Sequence, residues 1–282
     1  MRAFASVLAV VTCALTAGCG ESSGAAAPLS PLSPTAAPTG SGMRGTVSDT
    51  AHRTLAGALV EVLTGPHAGL TTRSDSRGQF SFAGTFDDTS TFQAALDGFA
   101  PAVVPLGPHC ERCNPQRWAH FSLVTLAHSA DIAGHYTMTI AASAQCANLP
   151  DQARLRTYQV TMPRTADASG ASTGYAWVPI TGADVGIWSD GFQAGVSGDR
   201  AGFWFETPVE RIAPDTYVAY NMAASATVTK QPAEIVAVAD GRLTYCEVQP
   251  GGSFDDCFRV PAAVVKVINC DAGTHSVIFS RR

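Results

Sequence analysis

Cysteine is the residue type in this chain best placed to do chemistry. Cys110-Glu111-Arg112-Cys113 has the Cys-x-x-Cys spacing shared by redox pairs, haem attachment sites and zinc sites. Haem attachment needs a histidine at position 114, where the chain has Asn114. A thioredoxin-type pair needs a strand-to-helix setting, and the flanking pattern offers none. Zinc would need two more ligands, for which His109 and His120 are available, but thiolate zinc sites suit reducing compartments better. A disulfide pinning a local loop is the expected role of Cys110 and Cys113. Cys246 and Cys257 bracket a hairpin-sized loop and are expected to pair. Cys146 and Cys270 would then join the two ends of the second folded unit. Cys13 and Cys19 lie in the N-terminal apolar region and stand apart from these six.

Tryptophan is the second informative type. Trp177 alternates with Val178, Trp188 follows Ile187, and Trp204 lies between Phe203 and Phe205. Each Trp has the opposite parity to its apolar neighbours, so both faces of these strands carry apolar groups. One face must form a core; the other must cover a neighbour, line a cavity or meet a ligand. Trp177, Trp188 and Trp204 are therefore the candidate ligand-binding residues. The histidines are spread singly, none at metal-ligand spacing. The pairs Asp87-Asp88 and Asp255-Asp256 supply too few oxygens for a calcium loop. No His-Glu-x-x-His, P-loop or dinucleotide fingerprint is present. Gly195-Val196-Ser197-Gly198 is mis-spaced for a nucleophile elbow. No catalytic set, metal site or cofactor is expected, and the chain does not read as an enzyme.

The elements that must position these residues are strands. The chain has 282 residues, 46% hydrophobic and 15% charged, with a net charge of −5. Low charge with high apolar content fits a loop-rich β protein and excludes a charged disordered chain. An acidic balance with scattered Lys and Arg excludes a nucleic-acid footprint. An even set of six cysteines fits an oxidising compartment.

Met1-Arg2 followed by the apolar run from Ala3 to Thr16 has the form of a signal peptide. The run is too short to span a bilayer. It ends at Leu15-Thr16-Ala17-Gly18-Cys19, which resembles a bacterial lipobox, with Thr16 where that motif prefers Leu. The resemblance implies cleavage before Cys19 and lipidation of that cysteine, so residues 1–19 are the signal segment and the partner is a membrane, through the lipid anchor. The expected location is the cell envelope, at the outer membrane, facing the periplasm or the cell surface. Residues 20–42 are rich in Pro, Ser and Ala, cannot bury enough apolar surface to fold, and read as a semi-extended tether.

Residues 43–126 form the first expected folded unit. Ala58, Val60 and Val62 share one parity, as do Phe80 and Phe82. Asp75-Ser76-Arg77-Gly78 is a turn, because the Asp side chain can bond the backbone two residues on and Gly accepts a positive φ. Short strands with turn signals at roughly 8–12-residue spacing indicate a β-sandwich. Gly45-x-Val47-x-Asp49, Leu55-x-Gly57-Ala58-x-Val60, Asp75-x-x-Gly78-x-Phe80 and Gly98-Phe99 resemble the carboxypeptidase regulatory-like (transthyretin-like) domain. That resemblance implies an accessory sandwich with no peptidase site. It also implies a superfamily shared with some starch-binding modules, which brings in glycan binding by analogy.

Residues 127–282 form the second expected unit. Tyr136, Met138 and Ile140 alternate with polar neighbours in a strand from Asp131. One helical turn capped by Asp151 is expected over Asp151 to Leu155. Further strands are expected at Arg156 to Met162, Gly174 to Thr181, Ala183 to Trp188, Gly191 to Val196, Gly202 to Thr207, Thr216 to Ala223, Ala226 to Lys230, Ile235 to Ala239, Leu243 to Val248, Ala263 to Ile268 and Thr274 to Ser280. This count suits an antiparallel barrel, which removes exposed edges, with a second sandwich as the alternative. Gly134-x-Tyr136 and Cys270 resemble a lipocalin-like calyx, with Tyr136 where that family carries Trp. The chain thus reads as an all-β, lipid-anchored envelope protein with a structural or interaction role. The alternative is a carbohydrate- or small apolar ligand-binding protein using the second unit. A glycan, a small apolar ligand or another envelope protein are the partner classes.

Overall fold

Period-two alternation builds the first half of the chain. In the computed structural model, which describes residues 42–106, 117–165, 174–186, 189–229, 232–259 and 263–282, eight short strands come first. They are β1 (Met43–Asp49), β2 (Leu59–Thr64), β3 (Thr71–Arg73), β4 (Gln79–Phe82), β5 (Thr91–Ala95), β6 (Phe99–Ala100), β7 (Ala102–Pro105) and β8 (Arg117–Thr125). They form two sheets of order β4-β1-β8-β6 and β3-β2-β5-β7. Every pair is antiparallel except β1 with β8, which run parallel. Val47, Phe80, Phe82, Phe121 and Leu123 from one sheet meet Val60, Val62, Phe92 and Ala94 from the other in a shared core. The Asp75 turn forms as its residues predict: Oδ1 accepts the Arg77 and Gln79 amides, both at 2.8 Å, and Gly78 sits at φ +71°.

The second half continues with β9 (Gly134–Ala141), α1 (Asp151–Arg154), β10 (Leu155–Met162), β11 (Ala176–Thr181), β12 (Gly191–Ser197), β13 (Arg200–Ala213), β14 (Thr216–Thr227), β15 (Glu234–Val248), α2 (Asp256–Arg259) and β16 (Val264–Arg281). The strands close into an eight-stranded antiparallel barrel because β16 pairs with β9 as well as β15. That closure decides between the barrel and the second sandwich. Phe192 stacks on Phe205 at 4.8 Å, and Phe203 meets Phe279 at 4.5 Å, so stacked aromatic side chains occupy the interior. A smaller apolar cluster of Val209, Tyr217, Ala219, Val248 and Phe254 lies beside the main core, and the Tyr217 hydroxyl bonds Gly252 O at 3.0 Å.

Several local expectations are corrected. Asp151 does not cap α1: it is the first helical residue, Pro150 holds the N-cap position, and no side chain caps the turn. Ala183 to Gly186 is a bend with one bridge, Val185 to Glu210, because Gly182 and Gly186 take φ of +81° and +135° and break the strand. The strand of Tyr136 begins at Gly134, since Asp131 Oδ1 instead closes a turn on the Ala133 amide. β13 runs on past Thr207 to Ala213, with a register shift between Glu206 and Val209 that accommodates Thr207 at φ +53° and Pro208. The separately expected strands within 226–230 and 263–280 are instead parts of β14 and β16 where described.

Candidate functional site

The turn after β1 brings the two β units together. Asp49 is fully buried, and its Oδ1 accepts the amides of Ala51 at 2.9 Å and Arg53 at 3.0 Å. Its Oδ2 pairs with the Arg53 guanidinium, at 3.1 Å to Nε and 2.9 Å to Nη2. A carboxylate satisfied this way holds a tight turn and keeps its buried charge compensated. The turn docks on the outer wall of the barrel. Thr50 Oγ1 bonds Val196 O at 2.6 Å, and the Tyr175 hydroxyl bonds Asp49 O at 2.8 Å. Gly195 and Gly202 are paired across β12 and β13 under the turn. A Cβ on Gly195 would lie 1.9 Å from Thr50 O, and one on Gly202 would lie 2.1 Å from Ala51 O. Only glycine admits backbone this close. The described residues accordingly belong to one compact unit.

His52 completes the joint. It adopts φ +60° and stacks on Tyr175, with ring centroids 4.4 Å apart and planes 17° from parallel. Its other neighbour is Trp204, at 6.0 Å. Burial pulls the His52 pKa down to about 4; nearby His120 adds to this and Asp49 opposes it. His120 is also lowered by burial, and its Nδ1 lies 2.8 Å from Thr46 Oγ1. The imidazoles are thus neutral ring surfaces at pH 7.

Beside the joint, the outer wall carries a row of directly paired residues. Trp177 on β11 faces Gln193 on β12, Gln193 faces Trp204 on β13, Trp204 faces Ala223 on β14, and Ala223 faces Asp240 on β15. Trp177 is 44% exposed and Trp204 38%, so both rings lie on the surface rather than in the barrel. Trp177 Nε1 donates to Asp190 Oδ1 at 3.2 Å. At Ala223 and Asp240 the row enters a groove of about 590 Å³. The docked turn forms one wall through His52, Arg53 and Thr54, and Ser225, Arg200 and Val238 line the rest. That volume lies within the usual range for small-ligand sites.

A second polar cluster lies at one end of the barrel interior. Glu210 is 2% exposed; Arg156 Nε reaches its Oε2 at 2.9 Å and the Tyr158 hydroxyl donates to it at 2.7 Å. Tyr158 and Tyr220 share a hydrogen bond of 2.7 Å. Burial raises the pKa of both phenols, so they stay protonated. This is a satisfied ion pair facing an aromatic core. Its phenols are held protonated, and its carboxylate is occupied by Arg156 and Tyr158.

Of the residues singled out from the sequence, Trp177 and Trp204 share one face, and both are candidates for contact. Cys146 bonds Cys270 and Cys246 bonds Cys257, with Cα separations of 5.7 and 6.4 Å, matching the expected pairings. His275 lies close to the first pair, but disulfide formation removes the thiolates an ion would need. Its Nδ1 accepts the Ser143 amide at 3.1 Å. Asp87 and Asp256 serve as local turn acceptors, and Asp88 pairs with Arg117 at 2.6 Å. Cys19, Cys110, Cys113 and Trp188 lie outside the described residues, as does nearly all of the tether. Sequence reasoning missed His52, Arg53, Arg200 and Asp240, which no local pattern marks. It met Gly195 as part of a failed nucleophile motif and of an expected strand, not as a contact. A signal was available: Gly195 and Gly202 are equidistant from the hairpin turn at Gly198-Asp199, which places them opposite each other.

Residues 42–109 match the carboxypeptidase regulatory-like domain. Comparison with curated proteins finds no significant match. Among solved structures, one described as the structure of the Streptococcal ancillary pilin is 12% identical to this chain, with a TM-score of 0.21. The likeness covers 71% of this chain and spans 58% of the pilin, and a superposition that loose carries no functional weight.

Proposed function

We propose that the protein is a non-catalytic, lipid-anchored envelope scaffold, in which the sandwich rigidly holds the barrel and presents its outer wall to a partner. The supporting observation is the Asp49 turn seated on the Gly195–Gly202 pair. A flexible linker between domains would not need glycines facing backbone at van der Waals limits. The two disulfides suit an oxidising, exported setting. Among the described residues no helix is long and apolar enough to cross a membrane, and attachment through Cys19 requires none.

The test uses the full chain. Spin labels at Ser81 on the sandwich and Val236 on the barrel should give one narrow distance distribution, and Gly202→Val should broaden it. In cells, Cys19→Ala should move the protein from the membrane to the soluble fraction and abolish labelling by a radioactive fatty acid. A broad distribution in the parent protein would remove rigidity from this reading. Membrane retention of the unlabelled Cys19→Ala protein would remove the anchor.

A further inference from the structure

We infer that the cross-strand row from Trp177 to Asp240, with its groove, binds a neutral, linear oligosaccharide. This goes beyond the scaffold reading and does not depend on the anchor. Five adjacent strands contribute one outward residue each: Trp177, Gln193, Trp204, Ala223 and Asp240. Four strand spacings make the row about 19 Å long, perpendicular to the strands. Trp177 and Trp204 are two strands apart, or about 10 Å. That is about the length of a disaccharide unit, so the two rings can stack on every second sugar along one side of a chain.

The chemistry along the row fits sugars. A pyranose offers apolar C–H faces, which pack on aromatic rings, and hydroxyls, which both donate and accept. Gln193 and Ser225 can do both, Arg200 donates, and Asp240 accepts. The groove walls carry two guanidiniums, Arg53 and Arg200; Asp49 beneath Arg53 and Asp240 on the floor balance them. With Asp190 beside Trp177, the row and groove carry no excess of positive charge, which disfavours an anionic ligand. The small Ala223 beside Trp204 leaves room at the point where the flat row drops into the groove.

Both rings are also held in place. Asp190 fixes Trp177 through Nε1, and Trp204 leans toward His52, itself stacked on Tyr175. Aromatic groups ordered before binding lower the entropy lost on binding. The sandwich thereby helps shape a site whose floor belongs to the barrel.

The experiment titrates the full-length chain in detergent with cellopentaose, maltopentaose and chitopentaose, followed by intrinsic tryptophan fluorescence. At least one should bind with a dissociation constant below about 1 mM. Trp204→Ala should weaken that binding by about tenfold or more, the loss of one stacked ring. Ala223→Gln should do the same by filling the groove while leaving both rings in place. Trp118→Phe, which alters an exposed tryptophan of the sandwich outside the row, should bind like the parent. Circular dichroism checks that each variant is folded. The inference is overturned if none of the three sugars binds, if folded Trp204→Ala and Ala223→Gln both bind as the parent does, or if polygalacturonate binds in preference to the neutral sugars. None of these outcomes bears on the spin-label distances, so scaffold and sugar site fail separately.

Discussion

The carbonyl oxygen of Ala51 stands 2.1 Å from where a Cβ on Gly202 would be. A side chain at 202 therefore has to displace the turn or the barrel wall. Gly202→Val is expected to cost at least the roughly 1–3 kcal/mol typical of overpacking. The parent protein should melt in a single calorimetric transition, and Gly202→Val in two, as the sandwich and barrel uncouple. A single transition at an unchanged temperature in the variant would show that the contact does not couple the units.

Asp49 holds the same turn from beneath. Asp49→Ala leaves the Ala51 amide and the Arg53 guanidinium without their acceptor. Breaking a buried charged pair costs about 3–5 kcal/mol. The partial exposure of Arg53 should bring this toward the lower end. Urea unfolding of parent and variant measures it, and a loss well under 1 kcal/mol would count against the role given to Asp49.

The pH response should follow His52. Its folded pKa, about 4, lies below the ordinary 6.5. Between those values the unfolded chain binds a proton that the folded chain refuses. This contribution is present in full above pH 6.5, declines as pH falls toward 4, and then levels off. His120 and His275 are shifted in the same direction by burial. For His52 the effect is on the order of 2 kcal/mol after allowing for its partial exposure. His52→Asn removes the titration and keeps a residue tolerant of positive φ. Between pH 7.5 and 4.5 its melting temperature should fall less than that of the parent; an equal fall would exclude His52 as a contributor.

The two disulfides should differ in worth. Cys146 and Cys270 close a loop of sequence separation 124, and Cys246 and Cys257 one of 11. Chain entropy assigns about 5 kcal/mol to the first and about 3 to the second. Paired Ala substitutions, compared by urea denaturation, should preserve that order. A larger loss from removing Cys246–Cys257 would point to the packing around its loop.

Inside the barrel, Glu210→Ala strands Arg156 and takes the acceptor from Tyr158. About 3–5 kcal/mol of stability should be lost, while Tyr158→Phe should cost about 1 kcal/mol. Near-equal effects in equilibrium unfolding would mean the carboxylate is less engaged than its contacts indicate.

Alternating apolar residues, the Asp75–Gly78 turn and the cysteine spacing determined, from the sequence alone, an all-β chain with a sandwich ahead of a disulfide-bonded second unit. These signals are short-range: residue parity and turn chemistry act within a few positions, and the Cys246–Cys257 loop is a local hairpin closure. The opposed parity of Trp204 to Phe203 and Phe205 showed that a second face was in use, but not which one faced inward. Only the tertiary structure decided that. Pairing of β9 with β16 closes the barrel, places the phenylalanines inside, and leaves Trp177 and Trp204 on the wall. The same long-range folding brings Thr50 and Ala51 to Gly195 and Gly202, and sets Arg53 across a groove from Asp240. Contacts between residues some 150 positions apart depend on how sheets close and dock, and no local pattern of residues carries that information.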